Sequence, residues 1–581
     1  MSKPRLRLLF AGTLVALAMI VLRLFYWQVI AAPALQEDAR NQHFVTFEIP
    51  AQRGEIRTSD GFPLVSNKKT YLIFAYTPEF EMGKLDVAAK VIPILSPLLA
   101  QEASPGALTN KGEDEEKARQ TLTEKILRED ILWIPLVRNA SESQKDDIQK
   151  LAIKGVGNES SYGREYSEAS MAATLLGFVG NDSAGNPKGY FGLEGHYDLE
   201  LKGRPGVVRQ EKDATGKPIL IGSYDEVEKR DGRDLILNID RAVQKFSEDA
   251  LQEALIKYGA VSGEVVIMNP KSGEVIAMAS LPSYDPARFR QFDQSQYKNP
   301  VISETYEPGS TFKVFVMAAA LETQAVTPET KCTQCDGPLK IGGYTIRTWN
   351  NEYFGEPTMR EVIEHSDNTG MVFVARKLGI TSLLDFLTAF GIGEKTGIDL
   401  EEESAQPIRK EEDWKEIDLA TASFGQGIAV TAMQMVRAVS AIANDGVLMV
   451  PRVVRRVEGE QTLEIEPQVS RRVISQETAH QMTEMMVNAV ENGEAKWAKP
   501  KGMTVAGKTG TAQIPVQGYY DNEKTIASFV GFAPADNPKF VMLVKLREPQ
   551  TSPWGSETAA PLWFSIAKRL FYYYSLPLGN E

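Results

Sequence analysis

An α+β fold in three parts is predicted, and three observations predict it. A basic N-terminus runs into one long apolar segment. Residues 31 to 228 mix short strands, charged helices and many glycines. The remainder alternates as strand hairpin, long helical stretch, further strands and a last helix. These features define a membrane anchor, a mixed α/β module, and a domain whose antiparallel sheet, flanked by helices, faces an all-helical lobe. The expected bounds are 1–7 for a tail, 8–30 for the span, 31–228 for the N-terminal module and 235–575 for the last domain.

The anchor is justified by Lys3, Arg5 and Arg7 ahead of the apolar run Leu8–Leu22, which continues past Arg23 through Leu24-Phe-Tyr-Trp-Gln-Val-Ile. A signal peptide is the competing reading, because Ala31-Ala-Pro-Ala34 loosely matches a cleavage site. The run is longer than a typical signal core, and Phe25-Tyr26-Trp27 suits an interfacial aromatic belt. Arg23 lies about 22 Å of helix rise beyond Leu8. From that depth its charge can snorkel to the outer interface. Basic residues before the span place the tail in the cytoplasm and the remainder outside.

In the N-terminal module, Asp60-Gly61 between short apolar runs fits a hairpin. The segment Gln101–Asp130 is polar and charged enough to be a mobile insertion. Gly192-Leu-Glu194-Gly-His-Tyr197-Asp198 and Leu201-Lys-Gly203-Arg-Pro-Gly206 read as surface hairpins, and charged Tyr224–Asp234 marks a boundary. Beyond it, Val243, Phe246, Ala250, Leu251 and Leu255 have helical spacing within Arg241–Tyr258. Gly263–Met268 and Gly273–Ala279 are apolar strands joined by Asn269-Pro-Lys-Ser-Gly, hence an antiparallel hairpin. Strands return at Thr504–Ala512, Ile526–Phe532 and Phe540–Lys545. A last helix, Pro561–Tyr573, presents Trp563, Ile566 and Leu570 to the sheet.

The chain has 581 residues, enough for two or three domains. Its formal charge of −13 and lack of a basic stripe argue against a nucleic-acid partner. The two cysteines, in Lys331-Cys332-Thr-Gln-Cys335, admit several readings: a zinc half-site, a redox pair, two loop cysteines, or a local disulfide in an oxidising compartment. Zinc would need two further ligands, and His43, His196, His365 and His480 are scattered. Neither a metal nor a cofactor is expected, and no histidine makes a Ser-His-Asp case.

The chemistry concentrates in Glu307-Pro-Gly-Ser310-Thr-Phe-Lys313. A serine hydroxyl is a poor nucleophile at neutral pH and needs a base in reach. Positions three apart share a helix face, so Lys313 can point its amine at Ser310. Pro308-Gly309 reads as a turn that opens a helix N-terminus, where free N–H groups favour negative charge. Alone, such a pair is usually a solvated helix face. It gains meaning from Ser366-Asp367-Asn368 and from Lys508-Thr509-Gly510-Thr511 further along.

Ser366 can relay a proton to a leaving amine, while Asn368 can bind a substrate amide and hold Lys313. Lys508, Thr509 and Thr511 suit a substrate carboxylate, and Gly510 lets a substrate backbone lie close to the strand. Two amines in one pocket should lower each other's pKa, helping Lys313 act as a neutral base. A second Lys395-Thr396-Gly397 lies in a glycine-punctuated loop, too close after Ser366 to leave room for a helical lobe.

This trio is a known signature of penicillin-binding proteins and class A β-lactamases. The chain resembles a class B penicillin-binding protein, a monofunctional peptidoglycan D,D-transpeptidase. The resemblance spans nearly the whole chain: the anchor, Arg53-Gly54-x-Ile56, Gly192-Leu-Glu194 with Tyr197-Asp198, the three motifs, Ser423-Phe-Gly-Gln-Gly427 with Thr431 and Gln434, and Gly531-Phe-x-Pro534. Tyr306-Glu-Pro-Gly-Ser310 is more similar to the septal, cell-division branch than to the elongation branch. Aspartate stands at position 367, where many relatives carry serine.

The resemblance implies an elongated dimerisation or pedestal module and a penicillin-binding/β-lactamase-like transpeptidase domain. It implies that Ser310 attacks the carbonyl between two terminal D-alanines of a stem peptide, with Lys313 as base. Backbone N–H groups of Ser310 and Thr511 would then form the oxyanion hole, and an amine of a neighbouring stem would take the acyl group. β-Lactams should acylate Ser310. Expected partners are peptidoglycan stem peptides, β-lactams, a membrane glycan polymerase and divisome proteins, at the inner membrane with the catalytic domain periplasmic. A D,D-carboxypeptidase or β-lactamase differs in giving the acyl group to water. A β-lactam sensor or an inert division scaffold differs in lacking turnover.

Overall fold

The computed structural model describes residues 3–36, 44–103, 111–183, 185–211, 224–516 and 519–578. The chain divides into two units, residues 1–52 with 203–232, and residues 53–202 with 233–581. In the first, the helix Lys3–Phe25 continues into a π-helical turn, Tyr26–Ile30. This 28-residue segment has a mean hydropathy of 2.4 over its most apolar window, long and apolar enough to cross a membrane. Its one late charge, Arg23, holds its guanidinium 5.2 Å from the Trp27 ring centroid and 5.8 Å from that of Tyr26. The aromatic residues that read as an interfacial belt therefore also shield that cation. The same unit carries a three-stranded antiparallel sheet in which Gly206–Glu211 lies between Phe44–Ile49 and Tyr224–Val227.

The second unit begins with a seven-stranded sheet built on the long strand Pro63–Tyr76. That strand pairs antiparallel with Ile56–Arg57, Trp133–Ala140 and Val156–Tyr166. The hairpin expected at Asp60-Gly61 is the link between its first two strands. Ile56–Arg57 in turn runs parallel to Asp234–Leu237, which pairs with Val454–Glu458. Residues far apart in sequence thus share one sheet.

Two expectations for this region are corrected. Lys111–Leu127, within the stretch read as a mobile insertion, is a helix. Leu122 and Ile126, four apart, are wholly buried against Val87, Val91 and Leu95 of the helix Lys84–Ala103. Polar composition hid a narrow apolar stripe, and residues 104–110 lie outside the described residues. The segment read as a surface hairpin at Gly192–Asp198 is two short helices, Gly192–His196 and Asp198–Leu201.

Glu194 has no exposure there, because Arg53 Nε donates to Oε2 at 2.7 Å and Arg164 Nε to Oε1 at 2.8 Å. Arg53 Nη1 also donates to Asp198 Oδ1 at 2.7 Å. Burial works against the Arg53 charge, but the two carboxylates prevail and its pKa stands above the ordinary arginine value. Turn-forming residues gave the wrong picture because the burying partners come from elsewhere in the chain.

Downstream, five antiparallel strands lie in the order Val275–Leu281, Ser262–Met268, Phe540–Arg547, Tyr519–Ala533, Ala506–Val516. The helix Arg241–Tyr258 has the expected bounds, because Asp240 accepts from Ala242 and Val243 N–H at one end and Gly259 turns left-handed at the other. It and the last helix, Ala559–Tyr573, share an apolar core with one face of the sheet. Trp563, fully buried, donates from Nε1 to Met542 O at 2.8 Å.

The helical lobe, including Lys313–Glu322, Asn368–Leu378, Ala432–Ala443 and Gln476–Asn492, shares a second core with residues of the other face. Every residue of Ala432–Ala443 is buried, and Thr431 and Gln434 close its start with a reciprocal cap. Cys332 and Cys335 are joined in a buried disulfide, so the sulfurs are not free to ligate zinc.

Candidate active site

Ser310 sits in a tight helical turn, Gly309–Phe312, that leads directly into the helix Lys313–Glu322. Gly309 enters that turn with φ +56°, and a Cβ there would lie 2.8 Å from Thr511 O. Gly425, at φ +79°, is closer still, since its Cβ would meet Gly309 O at 2.2 Å. The serine turn is therefore held between the loop at 425 and the edge strand Ala506–Val516 with no room for side chains. Gly309→Ala is expected to lower the rate at which Ser310 is acylated by about tenfold, by pushing the turn off the strand. Stopped-flow acylation kinetics would check this, and an unaltered rate would show that the turn tolerates the shift.

The close approach also orients Thr511. The N–H and C=O of one strand residue point to the same side, and the Thr511 carbonyl faces Gly309, so its N–H faces the serine turn. That strand is the outermost of the five, so its free edge lines the site. Lys508 is buried on it; burial pulls its pKa below the usual lysine value, and Glu494 opposes that. Lys508 Nζ donates to Thr509 Oγ1 at 3.1 Å, and Thr509 Oγ1 donates to Glu494 Oε2 at 3.1 Å. Thr511 Oγ1 accepts from Gly555 N–H at 3.0 Å, which leaves its own proton available. A Cβ on Gly510 would press on Thr311 Cγ2 and Pro308 O, so this glycine serves close packing against the serine turn.

Lys313 is wholly buried. Its Nζ donates to Ser366 O at 2.6 Å, Ser366 Oγ at 3.2 Å and Asn368 Oδ1 at 2.8 Å. Three acceptors match the three protons of an ammonium, and among the described residues no hydrogen bond reaches Ser310 Oγ. The spacing suggested an amine aimed at Ser310; the amine is instead tethered to the Ser366–Asn368 segment. Burial lowers its pKa to about 7, with repulsion from Lys508 second and Asp367 and Glu494 opposing. Mutual repulsion of the two amines thus ranks behind desolvation.

Ser366 adopts φ +57°, a left-handed conformation that is costly for a residue with a side chain. Its carbonyl faces the lysine as a result. Asp367 explains its own presence: Oδ1 accepts from Thr369 N–H at 2.7 Å and Gly370 N–H at 3.1 Å, capping the helix Asn368–Leu378. Asn368 Nδ2 donates to Arg347 O at 2.9 Å.

Ser310, Ser366, Asn368, Thr509 and Thr511 line one open cleft. Sequence reasoning missed three of its residues: Trp349, Glu494 and Trp554. The two indoles meet at 5.1 Å between centroids, tilted by 64°. None lies in a short motif, so no local signal marks them. Lys395-Thr396-Gly397 is elsewhere, in a loop where Thr396 and Gly397 N–H donate to Glu403 at 2.6 and 3.1 Å.

A serine one helical turn from a buried lysine whose pKa is lowered, opposite an edge strand bearing Lys-Thr-Gly, is the arrangement expected of the penicillin-interacting serine acyltransferases. Comparison with known proteins agrees. Residues 263–571 match the family description "Penicillin binding protein transpeptidase domain", and residues 48–237 match "Penicillin-binding Protein dimerisation domain". The chain is 34% identical to stage V sporulation protein D of Bacillus subtilis, covering 97% of this chain and 85% of that one. It is 29% identical to peptidoglycan D,D-transpeptidase FtsI of Escherichia coli, covering 97% and 90%. The crystal structure of penicillin-binding protein 3 of Mycobacterium tuberculosis, complexed with aztreonam, superposes with a TM-score of 0.67 at 25% identity, over 92% and 98%. The chain belongs to the class B penicillin-binding proteins.

Proposed function

We infer that this protein is a peptidoglycan D,D-transpeptidase that cross-links stem peptides through a Ser310 acyl-enzyme, in septal wall synthesis. The observation that carries this is the Lys313 amine, buried and poised near pH 7 one helical turn from Ser310. In its neutral form Lys313 takes the Ser310 proton as Oγ attacks the carbonyl between the terminal D-alanines. Backbone N–H groups of Ser310 and Thr511 stabilise the oxyanion, a contribution of about 3 kcal/mol per donor. Lys508 and the Thr511 hydroxyl hold the terminal carboxylate. Ser366, hydrogen-bonded to Lys313, passes the proton to the departing D-alanine amine. An amine from a second stem then attacks the ester, the Ser310 O–C bond breaks, and the cross-link forms. β-Lactams enter the same path and stop at the acyl-enzyme.

The apolar helix supports single-pass anchoring, and Lys3, Arg5 and Arg7 before it support a catalytic domain on the outer face of the inner membrane. A septal role is supported by likeness to a relative named FtsI and implies a membrane glycan polymerase and divisome proteins as partners. The deciding experiment supplies the full-length protein with a D-alanyl-D-alanine stem peptide and an acceptor stem, and separates products by mass. Cross-linked dimer is expected; exclusive hydrolysis would make the chain a carboxypeptidase.

A further inference from the structure

The cleft has two buried lysines against it, yet the second substrate of a cross-linking reaction arrives as an amine, which is protonated in water at neutral pH. Repulsion by Lys508, and by Lys313 whenever it is protonated, works against such a cation unless a negative group meets it. Among the described cleft-lining residues there is one ionisable side chain, Glu494. It lies just beyond the helix Gln476–Asn492, outside the three motifs. Its Oε2 accepts from Thr509 Oγ1 at 3.1 Å, which fixes the carboxylate at the mouth of the edge strand. Among the described residues no other hydrogen bond and no ion pair reaches it, and its charge acts on Lys313 and Lys508, opposing the lowering of both pKa values. The other lining residues carry hydroxyl, amide, aromatic or no side chains, and Trp349 and Trp554 offer indole surfaces that attract cations.

The arrangement also divides the polar groups of the cleft between two kinds of ligand, although Thr509 links Glu494 to Lys508. Thr509 spends its hydroxyl proton on Glu494, whereas Thr511 and Lys508 remain for the donor's carboxylate. A donor carboxylate is repelled from Glu494 and an acceptor ammonium is drawn to it.

Resting on the transpeptidase reading above, we propose that Glu494 is the acceptor-specificity residue, holding the ammonium of the incoming amine with Trp349 and Trp554 beside it. The bound ammonium releases one proton to solvent to become nucleophilic. Its nitrogen then bonds to the acyl carbon, the Ser310 Oγ–C bond breaks, and a second nitrogen proton returns to Ser310 Oγ through Lys313. Charges and atoms balance with no further reactant.

The test uses full-length protein, an acyl-D-alanyl thioester as donor, and two nucleophiles: hydroxylamine, a weakly basic amine that is mostly neutral at pH 7.5, and lysinamide, which is cationic. Glu494→Gln is expected to raise the KM for lysinamide by about tenfold while shifting that for hydroxylamine by less than about threefold. Glu494→Asp, which keeps the charge, should restore most of the lysinamide KM. The inference is overturned if both nucleophiles lose equally, which would make Glu494 a support for Thr509 and Lys508, or if neither changes. A wild-type chain that never forms the acyl-enzyme overturns the transpeptidase reading itself, and this inference with it.

Discussion

Ser310→Ala is expected to abolish covalent labelling of the full-length protein by a fluorescent penicillin, and Lys313→Met to slow labelling by at least about a thousandfold. The first removes the nucleophile; the second removes the buried amine one helical turn away, and general-base assistance is worth roughly two to four orders of magnitude. The pH dependence carries a sign. Lys313 serves only when neutral, and burial has brought its pKa down to about 7. Labelling should therefore rise about tenfold per pH unit below 7 and level off above it. Lys508 contributes to that lowering, so Lys508→Ala should move the midpoint to higher pH; an unmoved midpoint would show that burial acts alone.

Stability follows the same titration. Between about pH 7 and pH 10 the unfolded chain keeps the lysine proton that the folded chain has shed, so stability rises with pH across that window. Lys313→Met lacks this dependence, and its expected advantage in thermal stability should shrink as pH rises. Labelling that survives Ser310→Ala would relocate the nucleophile altogether.

The candidate site was legible where chemistry is local. Ser310 and Lys313 are three residues apart, and Lys508-Thr-Gly lies in a strand-forming run that proved to be the edge of the sheet. The strand hairpin at 263–281, the helix Arg241–Tyr258 and the last helix were legible for the same reason: period and caps are properties of neighbours in sequence.

What was not legible depends on approach through space. The spacing gives Lys313 two possible targets, and only the left-handed turn at Ser366 decides that the amine bonds there. Glu494 stands fourteen positions before Lys508 in a stretch with no pattern, and becomes part of the cleft because Thr509 reaches it. The helix Lys111–Leu127 was missed because the buried side chains of Leu122 and Ile126 outweigh a strongly charged composition once a partner helix covers them. Polarity averaged over a segment measures its solvent face well and its buried stripe poorly.

The clearest case of that failure carries the second large effect. Glu194→Ala is expected to destabilise the protein by about 3–5 kcal/mol, because removing one member of a buried ionic cluster strands its partners. The partners are not stranded equally. Arg53 keeps Asp198 at 2.7 Å, whereas Arg164 would retain only Asn67 Oδ1 at 3.0 Å, and its Nη2 already has no partner. The cost should therefore sit on Arg164. Arg164→Met placed on the Glu194→Ala background should recover a substantial part of the loss, although alone it removes a partner from Glu194. Urea unfolding of the four proteins, followed by tryptophan fluorescence, gives the coupling directly. A loss below about 1 kcal/mol for Glu194→Ala would mean that the cluster is worth no more than exposed ion pairs. A double variant no better than Glu194→Ala would shift the burden to Arg53. Because Glu194 ties the strand Val156–Tyr166 and the segment at Arg53 to one buried carboxylate, its loss should loosen the N-terminal module while leaving penicillin labelling of the folded fraction in place.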